Sequence, residues 1–232
     1  MDFVKGNERR YDLIVWDWDG TIMDSTPTIV ECIQQACRDL NFPVPEDSIA
    51  SYVIGLGIDD SLRRVLPDVE PVHFPKLIDR FRYHYLARDH ELDLFHGMRE
   101  LLEALRSHGF LLGVATGKPR RGLNRSLDFH QLGHLFHGTR TADESFSKPH
   151  PAMLFDLSDS LKVPVRRMLM IGDTTHDLEM ADAAGVDAIA VTYGAHPENA
   201  LRAAKALICV NNVEELASWL AQNSVIPQKE SM

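Results

Sequence analysis

Short apolar runs alternate with amphipathic stretches along most of the chain, the rhythm of a parallel sheet covered on both faces by helices. Runs near residues 13–16, 111–115, 138–141, 168–171, 188–191 and 207–210 are read as strands. Helices fill the gaps between them. After Gly97, the residues Met98, Leu101, Leu102 and Leu105 fall at i, i+3, i+4 and i+7, and Gly109 supplies a stop. In the last helix Asn212 is a natural cap, Glu215 completes a capping-box-like arrangement, and Val213, Leu216, Ala217 and Leu220 share a face. The tail after Val225 is expected to fray.

The alternation breaks once. From about residue 26 to 96 no strand is legible, while helical spacing recurs in Ile29, Ile33, Cys37 and Leu40, and again between 75 and 88. Pro43, Pro45, Pro67, Pro71 and Pro75 punctuate this stretch. The expected organisation is therefore an α/β core built from 1–25 and 97–232, interrupted by a small helical domain at 26–96. A length of 232 residues accommodates this, being about one and a half typical domains.

Charge and hydropathy narrow the partners. Lys and Arg number 24 against 34 Asp and Glu, a formal charge of −10, which offers no attraction to phosphate backbones or anionic lipid. No apolar run approaches the roughly 18 residues of a spanning helix, and the first ten residues lack the apolar core of a secretory signal. A cytoplasmic protein acting on neither nucleic acid nor membrane is expected. Nothing in the sequence specifies an oligomeric state. Cys32, Cys37 and Cys209 read as small packing residues rather than ligands or a disulfide.

In an open α/β sheet ligands bind beyond the carboxyl ends of the strands. The first strand runs into Asp17-Trp18-Asp19-Gly20-Thr21, the second into Thr116-Gly117-Lys118, the third into a loop leading to Lys148-Pro149, and the fourth into Gly172-Asp173-Thr174-Thr175-His176-Asp177. Carboxylates gathered in one crevice repel by roughly 4 kcal/mol per pair at 4 Å and an effective dielectric near 20, so they require a cation or must take up protons. All-oxygen ligation points to Mg2+, which uses one or two carboxylates together with phosphate oxygens. Lys148 adds a positive charge, while Thr116 and the amides around Gly117 can donate to an anion. Such a site suits a phosphate dianion held against a metal.

These residues carry a resemblance to the haloacid dehalogenase superfamily of phosphohydrolases, specifically its phosphoglycolate phosphatase-like branch with a helical C1-type cap. Asp17 to Ser25 resembles the first motif of that family, Ala115-Thr116-Gly117-Lys118-Pro119 the second, Ser147-Lys148-Pro149 the third, and Gly172 to Asp177 the fourth. The insertion at 26–96 falls where that branch carries its cap. The resemblance implies a Rossmann-like parallel-sheet core and an Mg2+-dependent phosphatase acting on a small phosphate ester, with 2-phosphoglycolate the leading candidate. It further implies that Asp17 attacks phosphorus to form an aspartyl phosphate and that Asp19 is the acid and base. The metal would be held by the Asp17 carboxylate, the Asp19 carbonyl and Asp173; Thr116, Gly117 and Lys148 would grip phosphate, with Asp177 behind Lys148 or the metal's waters. Gly55, Gly57, Arg63 and Arg64 are the candidate cap contacts. Trp18 stands where the family usually has a smaller apolar residue, and alternation in an extended segment should turn it away from the site.

Other readings compete. Strand-end aspartates can simply cap helices, and a lone Lys148 would pass for a surface residue. The helical spacing of His130, His134 and His137 could suggest a metal site, but no carboxylate or cysteine completes the set, so a basic helix end is preferred. His176 could contact substrate. Gly55-Leu56-Gly57 is no dinucleotide fingerprint, because Asp60 replaces the third glycine and no strand precedes it; it reads as a mobile cap loop. Pyrophosphatase, sugar-phosphate or nucleotide phosphatase and phosphoglucomutase activities fit the same motifs. A dehalogenase would not need Asp19 and Asp173 for a metal. A phosphoacceptor signalling module should retain its phosphoryl group, which an acid/base at Asp19 would hasten to lose. A silent binding protein would not need every one of these groups.

Overall fold

The computed structural model describes residues 9–223, so the tail after Val225 lies outside the described residues. Strands β1 (Leu13–Trp16), β2 (Leu111–Thr116), β3 (Gly138–Thr141), β4 (Met168–Gly172), β5 (Asp187–Val191) and β6 (Ile208–Val210) form one sheet ordered β3-β2-β1-β4-β5-β6. Every pairing is parallel. Each strand lies within one residue of its expected limits. Chain order runs outward from β1 to β3 on one side and from β4 to β6 on the other, so it reverses between β1 and β4, where open α/β sheets bind ligands.

Alternation along β1 explains why both faces are covered. Leu13 and Val15 pack with Met168, Met170, Leu154 of α7 (Ala152–Leu161) and Leu178 of α8 (Thr175–Ala184). Ile14 and Trp16 face the other way, into Leu112, Leu169, Leu102 of α5 (Met98–Ser107) and Leu216 of α10 (Val213–Asn223). All four β1 side chains are buried, the continuous apolar run that a strand covered on both faces requires.

Between β1 and α5 the chain forms α1 (Thr26–Asp39), α2 (Asp47–Tyr52), α3 (Ile58–Val65) and α4 (Phe74–Leu86). No strand occurs at 26–96 among the described residues; an isolated bridge joins Met23 to Leu94. Beside it Asp24 N–H donates to Asp93 O at 3.0 Å, so the outgoing and returning connections run together. Pro27 starts α1, where a missing N–H costs nothing, and Ile29, Ile33, Ala36 and Cys37 form its buried stripe. Leu77 and Tyr85 are the matching buried residues of α4. The three cysteines are free, Cys32 and Cys37 buried and Cys209 half-buried.

α6 (Arg120–Phe129) follows β2, and α9 (Glu198–Ala203) precedes β6. At α10, Asn212 Oδ1 accepts from Glu215 N–H at 2.8 Å as a cap should. The reciprocal half differs from expectation: the Glu215 carboxylate accepts from Asn211 N–H at 2.7 Å and from the Asn211 side chain at 3.1 Å. The longer Glu reaches one residue further back than a capping box requires.

Candidate active site

Register brings the strand ends level. Trp16 lies opposite Ile171 of β4 and Val114 of β2, so Asp17, Asp173 and Thr116 emerge at one edge. Asp17 N–H donates to Ile171 O at 2.9 Å, fixing the carboxylate at the point of reversal. Its Oδ1 accepts from Trp18 N–H at 2.6 Å and from Lys148 Nζ at 2.8 Å. Its Oδ2 is buried with no partner. The Trp18 ring turns into the core, edge-on to Phe136 with centroids 6.1 Å apart.

A turn after Asp17, with the Ile22 and Met23 amides donating to Trp18 O at 3.0 Å, carries Asp19 to the same edge. Asp19 Oδ1 accepts from Ser25 Oγ at 2.7 Å and from Lys118 Nζ at 2.9 Å. Lys118 also donates to the Tyr85 hydroxyl, on α4, at 2.7 Å. Asp173 Oδ1 accepts from Thr21 Oγ1 and its Oδ2 from Ala195 N–H, both at 2.7 Å. Gly20 makes this approach possible: its φ is +82°, and a Cβ there would overlap the Asp173 carboxylate.

Thr174 and Asp177 form a capping box at the start of α8. Thr174 N–H and its hydroxyl donate to Asp177 Oδ2 at 3.1 and 2.7 Å, leaving Oδ1 to accept from Lys148 Nζ at 2.6 Å. Asp177 thus orients the lysine that meets Asp17. Thr116 Oγ1, buried at the end of β2, accepts from Lys118 N–H at 3.2 Å.

Positive charge is short here. Asp17, Asp173 and Asp177 offer carboxylate oxygens within 4.8 Å of one another, against the single ammonium of Lys148. Burial pushes the Asp17 carboxyl well up; Lys148 opposes this, while Asp177 and Asp173 add to it. Asp173 is pushed up to about 7, by burial first and then by Asp177. Burial works against the Lys148 ammonium, but Asp17 and Asp177 outweigh it and raise its pKa. Lys118 is raised likewise by Asp19 and Tyr85. An orphaned buried oxygen among clustered carboxylates fits a divalent cation with oxygen ligands.

A cavity of about 380 Å³ opens from Asp17, Asp19 and Thr116 toward α1, α4 and the loop between α2 and α3. Gly55 and Gly117 line it. Gly117 must be glycine, because a Cβ would run into the carbonyl oxygens of Leu56 and Gly55. Gly57 N–H donates to Ser147 Oγ at 3.0 Å, tying the loop to the approach to Lys148. Arg63 and Arg64 are not brought to the cavity: both are exposed on α3, and Arg63 pairs with Asp59 at 2.7 Å. Helical spacing places that pair on the outward face.

His176 lies behind the loop, its Nε2 bonded to Tyr52 O at 3.0 Å, and His196 Nε2 bonds the same carbonyl at 2.9 Å. Among the described residues His130, His134 and His137 belong to no metal grouping; His137 Nδ1 accepts from Leu112 N–H at 3.1 Å. Sequence reading missed the contacts of Lys118, Ser25, Tyr85 and His196. For Lys118 and Ser25 a signal existed, since both lie inside motif segments; Tyr85 and His196 arrive from distant elements.

The model for haloacid dehalogenase-like hydrolases matches residues 14–191. A phosphoglycolate phosphatase of Aliivibrio fischeri is 33% identical over 191 residues, covering 78% of this chain and 84% of that protein. A Dickeya dadantii protein named "Probable phosphatase IndB" is 32% identical over 211 residues, covering 88% and 91%. A hydrolase from Pseudomonas syringae superposes with a TM-score of 0.83 over 90% of this chain and 97% of that one, at 22% identity, a likeness of fold. The chain belongs to the haloacid dehalogenase-like hydrolase family. Within that family it is a phosphatase.

Proposed function

We propose that this phosphatase is magnesium-dependent and hydrolyses a small phosphomonoester through an aspartyl phosphate on Asp17, with 2-phosphoglycolate the first ester to assay. One observation carries the reading: Asp17, buried and bridged to Lys148, keeps one oxygen without a partner beside Asp173, two residues from an Asp19 that faces the same cavity. The name borne by the Aliivibrio relative favours 2-phosphoglycolate. Residues 1–25 and 97–232 are the catalytic core in this reading, and 26–96 the cap. Buried free thiols at Cys32 and Cys37 suit a reducing cytoplasm.

Asp17 attacks phosphorus; an Asp17 O–P bond forms as the bond to the alcohol oxygen breaks, and Asp19 gives that oxygen its proton. Asp19 then accepts a proton from water as the water oxygen bonds phosphorus, releasing inorganic phosphate and the Asp17 carboxylate. Lys148, held by Asp177, and the Thr116 hydroxyl with the Gly117 amide grip the phosphoryl oxygens. Asp17, Asp173 and the Asp19 carbonyl would hold magnesium, which when bound neutralises charge on the transferring group. Gly55 and Gly57 close the loop over the substrate and limit entry of water.

The test is phosphate release from 2-phosphoglycolate, p-nitrophenyl phosphate, pyrophosphate, sugar phosphates and nucleotides, with magnesium and with EDTA. Turnover with magnesium that EDTA abolishes is expected. A folded protein that releases phosphate from none of them contradicts the reading.

A further inference from the structure

The cavity that holds the reacting carboxylates is lined largely by apolar side chains. Ile29 and Ile33 of α1, Ile54 and Leu56 of the loop between α2 and α3, and Phe81 of α4 line it, and all but Phe81 are buried. These side chains share the cavity with Asp17 and Asp19, so they line space open to the alcohol half of a substrate whose phosphorus meets Asp17.

Four cations also line the cavity, Lys118, Arg82, Arg121 and Arg125, and three of them are already paired. Lys118 is buried and committed to Asp19 and Tyr85. Arg125 pairs with Asp89 at 2.5 Å. Arg82 pairs with Asp79 at 3.6 Å, and both Arg82 and Arg121 are exposed to water. A carboxylate next to the scissile bond, as in glycolate, would face this hydrocarbon unless it drew Lys118 away from Asp19 or reached out to the water-exposed Arg82 or Arg121. A cavity of about 380 Å³ has room for about a dozen waters at roughly 30 Å³ each, far more than a two-carbon alcohol displaces.

We infer that the site prefers phosphomonoesters whose alcohol carries an apolar alkyl or aryl body, which packs on Ile33, Ile54 and Phe81, over 2-phosphoglycolate. This rests on the phosphatase reading of the same site. The chemistry at phosphorus is unchanged; the added binding comes from apolar surface removed from water. Each methylene buried is worth about a fourfold gain in affinity or in kcat/KM.

The experiment is kcat/KM for n-alkyl phosphates from methyl to hexyl beside 2-phosphoglycolate, in magnesium, with p-nitrophenyl phosphate as reference. Calorimetric Kd values for the n-alkylphosphonates, which bind without turnover, are measured in parallel. Both quantities are expected to improve about three- to fourfold per methylene until the cavity fills, with hexyl phosphate surpassing 2-phosphoglycolate. Phe81→Ser should flatten the upper part of both series. A flat wild-type series, or 2-phosphoglycolate as the best ester, overturns the inference while leaving a phosphatase. A slope in phosphonate affinity with no phosphate released from any ester supports the apolar site and overturns the phosphatase reading instead.

Discussion

His196 should make folding stability depend on pH in a way one substitution can isolate. Its Nδ1 accepts from Thr175 N–H at 3.1 Å, its Nε2 donates to Tyr52 O at 2.9 Å, and the Tyr52 ring stacks on it with centroids 4.3 Å apart. Only the neutral imidazole can make both bonds. Burial, and then His176 beside it, push it from the ordinary 6.5 down to about 4, against the Tyr52 carbonyl and Asp177, which favour the proton. Between those values the unfolded chain binds a proton that the folded chain refuses. The contribution is thus complete above pH 6.5 and lost as pH falls toward 4, amounting to about 3 kcal/mol at roughly 1.4 kcal/mol per pKa unit. His196→Gln keeps a donor for Tyr52 but removes the titration, and should cost about 1–2 kcal/mol at pH 7.5 for the lost acceptor and stacking. Urea unfolding of both proteins at pH 7.5, 6, 5 and 4 gives the comparison. The wild-type advantage should shrink and then reverse on acidification, whereas other titrating groups affect both proteins alike. A stability difference that stays constant across the range would show that His196 does not supply this pH dependence.

Other perturbations test separate parts of the architecture. Lys148→Met leaves Asp17 and Asp177 buried without their ammonium and should destabilise the fold by about 3–5 kcal/mol at pH 7.5 in urea melts, less at pH 5 as Asp17, its pKa raised by burial, takes up a proton. Gly117→Ala drives a Cβ into the Leu56 and Gly55 carbonyls; a loss of about 1–3 kcal/mol is expected from overpacking, with a larger fall in kcat/KM than Leu169→Ala causes. Leu169→Ala, in the fully buried centre of β4, should cost about 2–5 kcal/mol in stability while activity per folded molecule is retained.

Much of this arrangement was legible because sheet and site share one logic. An apolar run buried on both faces declares a parallel strand, and parallel neighbours in register deliver whatever follows each run to the same edge. Asp17, Thr116 and Asp173 could therefore be placed together without knowing any side-chain geometry, and Lys148 was found through the motif preceding α7. What escaped depends on packing between elements distant in sequence. The bond from Lys118 to Tyr85 joins the end of β2 to a helix of the insertion, and no local pattern encodes how α4 sits on the core. Arg63 and Arg64 look like substrate contacts in a list of residues, but the face they occupy is set by the buried Leu62 and Val65 beside them. The short helices α2 and α3 span too few turns for periodicity to announce them. At α10 the cap was readable and the Glu215 partner was not, since one residue of reach separates Asn211 from Asn212.

Asp17 is the proposed carrier of the phosphoryl group. Wild-type protein turning over p-nitrophenyl phosphate in magnesium, quenched rapidly in acid and digested, should yield a phosphorylated peptide containing Asp17. Asp17→Asn should remain folded, yield no such peptide and lose at least about a thousandfold in turnover, as loss of a nucleophile does. Phosphoryl on another residue, or Asp17→Asn turning over at a rate near wild type, would contradict the account.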